Sequence, residues 1–261
     1  MSGGADGLAI ELKGVTRRMG GEYVLRGIDL EVAPGKLVVL RGSNGTGKTT
    51  LLRLLATRLR PAGGQALVFG HDLTREAAAA RARLGLLTVM GGSFPLLTGR
   101  ENLELAIALT PRRPGRSARA EAGRHDLREL SGSRGRSARA EAGQAEPTEV
   151  GKARAEATHL AALGRVGLEQ AADKLVRTYS SGMKKRLGLA RLLLLDPDLW
   201  LLDEPYAALD DLGKRLMDEC VAAAKARGRT VFMASHESDR DHLGPDAVIE
   251  LKGGTLRMFG A

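Results

Sequence analysis

Gly42-Ser-Asn-Gly-Thr-Gly-Lys-Thr-Thr50 decides how this chain is read. The stretch fits G-x-x-x-x-G-K-[ST]: Gly42, Gly47, Lys48 and Thr49 take the fixed positions, Ser43, Asn44, Gly45 and Thr46 lie between, and Thr50 follows. Leu37-Val-Val-Leu-Arg41 before it reads as a buried strand, and Leu51-Leu-Arg-Leu-Leu-Ala56 after it as a helix, which is the context the motif requires. Glycines let the backbone wrap a polyphosphate with its N–H groups pointing inward, and the new helix adds its positive end. On this reading Lys48 reaches the β- and γ-phosphates and the Thr49 hydroxyl sits on Mg²⁺. Taken alone, the loop implies only that a nucleoside triphosphate binds.

Working outward, 261 residues allow one large α/β domain or a domain with a subdomain. The hydrophobic fraction of 43% is ample for a core, but aromatics are 3%, so that core rests on Leu, Val and Ala. Cys220 is the single cysteine, which excludes a disulfide framework and a cysteine-only metal cluster. No apolar run approaches the ~18 residues of a membrane span, and Met1–Gly7 does not read as a signal peptide. The expectation is a cytoplasmic protein, unless a partner holds it at a membrane. The net charge of +9 raises the question of nucleic acid. Between Pro111 and Ala140, however, nine Arg stand against Glu121, Asp126 and Glu129, and this segment accounts for most of the excess. The basicity is local, and no nucleic-acid partner is expected.

Leu8–Val15 and Ile28–Val32 read as strands, followed by a turn at Ala33–Lys36. Ala66–Phe69 reads as a short strand, Gly70-His-Asp72 as a turn, Arg75–Arg83 as a helix, Leu84–Val89 as a buried strand and Glu101–Leu109 as a helix. From Arg112 to about Glu149 the composition shifts to Arg, Ala, Gly, Ser and Glu, and Gly115-Arg-Ser-Ala-Arg-Ala-Glu-Ala-Gly123 recurs as Gly135–Gly143. Such a segment buries little apolar surface and is expected to be a disordered insertion in a surface loop. Order resumes with helices at Lys152–Leu163, Ala171–Leu175 and Ser181–Leu195, a strand at Leu199–Leu202, a helix at Leu212–Ala226 and a strand at Thr230–Ala234. A terminal hairpin spans Ala247–Leu251 and Thr255–Met258. Strands alternating with helices predict a parallel α/β sheet.

Leu199-Trp-Leu-Leu-Asp-Glu204 places two carboxylates at the C-terminal end of a buried strand, the edge where open α/β sheets bind ligands. Asp203 fits the Mg²⁺-side acid of a nucleotide site, and Glu204 would orient or deprotonate an attacking water. An acidic pair after a strand is commonly just a helix start, and it is the combination with Gly42–Thr49 that gives it meaning. Tyr179-Ser-Ser-Gly-Met-Lys-Lys-Arg186 opens a helix whose small residues suit an anion, although Ser180 or Ser181 would equally serve as an ordinary cap.

Together these stretches resemble the nucleotide-binding subunit of an ABC transporter over nearly the whole chain. Gly42–Thr50 is similar to the Walker A loop, Tyr179–Met183 to the family signature, Leu199–Glu204 to Walker B with its catalytic glutamate, Ala207–Asp210 to the D-loop and Ser235-His236 to the switch histidine. The resemblance implies one P-loop NTPase domain over 1–261: a mainly parallel sheet core, an N-terminal antiparallel β subdomain, and a helical subdomain over 90–185 that carries the insertion at about 112–149. It implies ATP and Mg²⁺, with Glu204, His236 and Lys48 in hydrolysis and Thr49 and Asp203 on the metal. It also implies a homodimer in which two copies face head to tail. Ser180 and Gly182 would meet the partner's γ-phosphate, Ser181 would join them in binding that nucleotide, and Asp210 would span the seam. Closure on ATP would drive an integral membrane permease at the cytoplasmic face.

Three departures from the family pattern stand out. Ser181 and Met183 replace Gly and Gln in the signature, a pattern that resembles exporters. The adenine-stacking aromatic is replaced by Met19, with Tyr23 nearby. The Q-loop glutamine is absent, and spacing puts Val89 or Met90 in its place. The signature resembles drug-efflux and haem-exporter groups, and Leu202–Asp210 resembles the haem-exporter subunit of cytochrome c biogenesis. Two other readings remain: a soluble ABC ATPase such as an iron–sulfur assembly factor, and a non-catalytic nucleotide-binding scaffold.

Overall fold

A computed structural model describes residues 7–88, 92–110, 149–235 and 241–259. The disorder expected for the Arg-rich stretch, the substitutes for the missing glutamine at Val89 or Met90, and His236 all fall on residues outside these.

β1 (Ile10–Met19) and β2 (Glu22–Val32) form an antiparallel hairpin that runs well past the two strands expected there. The turn is Gly20-Gly21, at φ 57° and 89°. Two successive positive φ values match the twist of a two-residue hairpin, and glycine reaches them without strain. β3 (Leu37–Arg41) then enters the phosphate loop, and α1 (Lys48–Leu55) leaves it. β4 (Gly63–Val68) pairs with β1, and His71–Asp72, read above as a turn, is a short strand β5 against Leu67 and Val68. The antiparallel sheet has the order β2-β1-β4-β5.

The remaining elements are α2 (Ala77–Arg83), β6 (Leu84–Leu87), α3 (Gly99–Leu109), α4 (Glu149–Gly164), α5 (Ser181–Leu195), β7 (Leu199–Asp203), α6 (Asp211–Ala226), β8 (Thr230–Ala234), β9 (Ala247–Lys252) and β10 (Thr255–Phe259). The second sheet has the order β10-β9-β3-β8-β7-β6, parallel throughout except for the antiparallel edge strand β10. The fold is therefore α/β.

Alternation along the strands divides the core into two layers. Val38, Leu40, Leu199, Leu201, Phe232 and Ala234 face α1 and the antiparallel sheet. Leu37, Trp200, Leu202, Val231 and Met233 face the helices on the other side, where α5 and α6 contribute Leu189, Leu192, Met217 and Val221. β7 and β8 are buried along their whole length, as expected of parallel strands covered on both faces.

The helix expected at Ala171–Leu175 is instead two 3₁₀ turns, Glu169–Ala171 and Val176–Thr178. The loop before α3 claims the backbone here: Val176 N–H donates to the Leu97 carbonyl at 2.9 Å and Arg177 N–H to that of Pro95 at 2.8 Å. α3, α4 and α5 pack on one another, bringing the start of α5 beside the sheet.

Candidate functional site

The parallel register sets the site. Leu40 pairs with Ala234, and Ala234 pairs with Asp203, so these three form one row across β3, β8 and β7. Of their successors, Ser235 and Glu204 leave the sheet at its carboxyl edge, beside Arg41, which ends β3 paired with Glu250. Ser235 N–H donates to the Leu40 carbonyl at 3.1 Å, and Glu204 N–H to that of Ala234 at 2.9 Å. Residues more than 150 positions apart thus share one ligand-facing edge.

Gly42, Gly45 and Gly47 have φ of 153°, 81° and 108°. A methyl group on Gly42 would lie 2.6 Å from the Leu251 carbonyl oxygen, and one on Gly47 would lie 3.0 Å from Val24 Cγ1. The loop therefore rests directly on β9 and β2. The Thr46 hydroxyl closes it by donating to the Ser43 carbonyl at 2.9 Å, while Ser43, Asn44 and Gly45 are exposed. Gly47 caps α1 without a side-chain hydrogen bond.

Lys48 is buried, 6% exposed. Its ammonium donates to the Gly42 carbonyl at 2.6 Å and lies 3.5 Å from Glu204 Oε1. Thr49 Oγ1 donates to Asp203 Oδ1 at 3.0 Å. Burial pushes the Asp203 carboxyl above its ordinary range and the Glu204 charge adds to this, against the Thr49 hydrogen bond and the Arg53 and Lys185 cations. A hydroxyl and a carboxylate converging at the mouth of a glycine cradle are hard oxygen donors, the pair that suits Mg²⁺ shared with a phosphate. Thr49 and Asp203 would hold that ion.

Met19 and Tyr23 part company in the hairpin. Arg18 pairs with Tyr23, and Met19 with Glu22, so Met19 and Tyr23 project to opposite faces. Met19 faces the loop: its sulfur accepts from the Thr50 hydroxyl at 3.8 Å. Tyr23 carries the Arg18 guanidinium over its ring at 4.9 Å and lines an open depression with Thr16, Gly21, Glu22 and Arg26. The structure brings Met19 to the phosphate loop and leaves Tyr23 away from it.

A second group forms at the start of α5. Ser180 is its cap, accepting from Met183 N–H at 3.2 Å, and Ser180 and Ser181 are exposed. Tyr179 is buried, and its hydroxyl donates to the Ala171 carbonyl at 2.5 Å. A methyl on Gly182 would lie 3.0 Å from the Ala208 carbonyl oxygen, so the helix tip touches the loop carrying Asp210. Asp210 caps α6 by accepting from Gly213 N–H at 2.8 Å.

Sequence reasoning missed Lys185. It is fully buried, and its ammonium donates to the Glu204 carbonyl at 2.8 Å. Burial pulls that ammonium down to about 8, opposed by the charges of Asp203 and Glu204. A signal was present: Lys185, Leu189 and Leu192 share one buried stripe of α5, and a lysine on an apolar stripe needs a partner.

The family model described as "ABC transporter" matches residues 25–207. The chain is 37% identical over 227 residues to the daunorubicin resistance ATP-binding protein DrrA3 of Streptomyces coeruleorubidus, covering 87% of this chain and 60% of that protein. It is 33% identical over 252 residues to the daunorubicin/doxorubicin resistance ATP-binding protein DrrA of Streptomyces peucetius, covering 97% of this chain and 65% of that protein. The chain thus spans somewhat under two thirds of the length of these curated relatives. Among solved structures, an ATP-binding cassette in a dimeric post-hydrolysis state bound to ADP and Pi superposes with a TM-score of 0.74 at 23% identity, covering 96% of this chain and 97% of the other. That likeness is one of fold.

Proposed function

This chain belongs to the ABC transporter family, and we propose that it is the ATP-hydrolysing subunit of a bacterial exporter of that family. The observation that carries the proposal is the convergence on one sheet edge of Lys48 with Glu204 at 3.5 Å and Thr49 with Asp203 at 3.0 Å. In this reading the Gly42–Gly47 backbone cradles the β- and γ-phosphates, and Lys48 turns from the Gly42 carbonyl and Glu204 to the phosphate oxygens. Thr49 and Asp203 would hold Mg²⁺, which would supply charge neutralisation to those oxygens. Glu204 orients and deprotonates the attacking water. His236 is assigned to the γ-phosphate by its motif position and lies outside the described residues. Met19 supports the base by apolar contact.

Ser180, Ser181, Gly182 and Asp210 are assigned to the nucleotide of a second copy. The exposure of Ser180, Ser181 and Asp210 at one helix tip and the adjoining loop supports that reading. The proposed setting is a homodimer on the cytoplasmic face of a membrane, driving an integral permease subunit that selects the cargo. Relatives named for daunorubicin resistance favour the drug-efflux group over haem export.

Glu204→Gln tests the reading. ATP should bind within about threefold of wild type, turnover should fall ~100-fold or more, as for loss of a general base, and ATP with Mg²⁺ should trap a dimer on gel filtration. Wild-type turnover in this variant refutes the assignment.

A further inference from the structure

Glu204 has φ 46°, a left-handed conformation that a residue with a side chain keeps only when its surroundings hold it. Four contacts do so. Its N–H is tied to Ala234, its carboxylate faces Lys48, and its carbonyl accepts from the Ala207 N–H at 3.2 Å and from the Lys185 ammonium at 2.8 Å. The last contact is the unusual one. Lys185 is 0% exposed, on a helix whose neighbouring buried positions are leucines, alanine and glycine. A methionine would fill a similar volume without the cost of desolvating an ammonium, so packing alone does not account for a lysine here. What a methionine could not do is donate to the backbone of Glu204.

We propose that Lys185 is a positioning residue for hydrolysis: its hydrogen bond fixes the Glu204 backbone, and with it the direction of the carboxylate, from the helix whose tip carries Ser180 and Gly182. The inference rests on the reading of Glu204 as the base. It also gives α5 two ends with linked tasks. The tip is exposed and available to a second copy, and one turn further along the same helix grips the water-orienting residue of its own site. A displacement of the tip is carried by the helix to Glu204.

The test uses Lys185→Met and Lys185→Gln in the full chain, with Glu204→Gln alongside. Lys185→Met should keep ATP affinity within about twofold and a melting temperature equal to or above wild type, while kcat falls about tenfold or more, the scale of one charge-assisted hydrogen bond. Lys185→Gln, which retains a donor, should keep more turnover than Lys185→Met. Wild-type kcat in Lys185→Met overturns the proposal. So does a loss of kcat matched by equal losses in affinity or melting temperature, which marks a packing role, and so does an equal kcat loss in both variants. An inactive Glu204→Gln beside a normal Lys185→Met refutes the Lys185 role alone. A fully active Glu204→Gln refutes the base, and the Lys185 role falls with it.

Discussion

Gly42→Ala and Gly45→Ala sit three residues apart in one loop, yet the structure separates their costs. Gly45, at φ 81°, has nothing within 4 Å of an added methyl. Alanine there suffers only backbone strain, ~1–2 kcal/mol. Gly42, at φ 153°, lies in a region that side chains also avoid, costing ~1–3 kcal/mol. Its methyl would in addition meet the Leu251 carbonyl oxygen at 2.6 Å and Thr46 Oγ1 at 2.8 Å. The hydroxyl can rotate away, but the carbonyl belongs to the β9 backbone, so the loop itself must lift. Overpacking of that kind adds ~1–3 kcal/mol, giving about 2–6 kcal/mol for Gly42→Ala. Urea denaturation followed by circular dichroism measures the difference. With m near ~3 kcal/mol/M, each 3 kcal/mol moves the midpoint by about 1 M. Lifting the loop also pulls the Gly42 carbonyl from Lys48, so the fall in ATP affinity, read by a fluorescent ATP analogue, should be larger for Gly42→Ala than for Gly45→Ala. Equal midpoints for the two variants, or a lower one for Gly45→Ala, would show that contact with β9 does not set the loop.

Asp246 supplies a pH test remote from the site. Burial alone would raise its carboxyl, but the Leu37 N–H and the Lys225 and Lys36 ammoniums outweigh it and hold the group at about 2, below its ordinary 3.8. A depressed carboxyl stabilises the fold above its unfolded value and loses that contribution as pH falls through its folded one. The contribution is about 1 kcal/mol after solvent screening at this partly exposed position. Wild type should therefore melt above Asp246→Asn at pH 6, with the gap closing between about pH 4 and pH 2; a gap that stays constant refutes the linkage. Tyr179→Phe removes the hydroxyl's hydrogen bond to the Ala171 carbonyl, which keeps the Lys174 N–H at 3.0 Å, so the cost is that of one neutral hydrogen bond, ~1 kcal/mol. Calorimetry should show a fall of about 2–4 °C, with ATP affinity of the isolated subunit unchanged; an unaltered melting temperature contradicts the role given to that hydroxyl.

Local chemistry made much of the site readable in advance. The loop motif sits between a buried strand and a helix because its glycines need positive φ and its lysine needs a phosphate. Asp203 and Glu204 stand out because Leu199–Leu202 is apolar on both faces and then stops at charge. Other features have no local trace. Nothing near β3 says that its neighbours are β8 and β9, since pairing is decided by how two layers of side chains pack. The hairpin's full length leaves little trace in the sequence because Thr16, Arg17 and Arg18 alternate weakly with solvent, although Gly20-Gly21 is a turn signal. Tyr23 looked interchangeable with Met19 by proximity in sequence, and only the register shows that they occupy opposite faces. The 3₁₀ turns near Ala171 follow from hydrogen bonds to a loop about 80 residues earlier, which no helix propensity registers.

The motifs also read as a set for an electrostatic reason. Lys48, Lys185 and Asp203 are buried and Glu204 nearly so. Any one of these charges left alone in that environment would be heavily penalised. Two ammoniums and two carboxylates in alternation offset one another: Lys48 on the Glu204 carboxylate, Lys185 on its carbonyl and within the field of Asp203. A chain that kept the lysines without the acids, or the reverse, would bear a buried unpaired charge at the edge of its central sheet. Substituting Lys48, Asp203 or Glu204 therefore changes stability as well as chemistry, whereas Lys185→Met removes an ammonium bonded to a carbonyl rather than to a carboxylate, so its kcat and melting temperature can be read apart. The same coupling explains how stretches separated by more than 150 residues remain mutually informative: the phosphate loop tolerates its buried lysine only while the distant strand supplies its carboxylates.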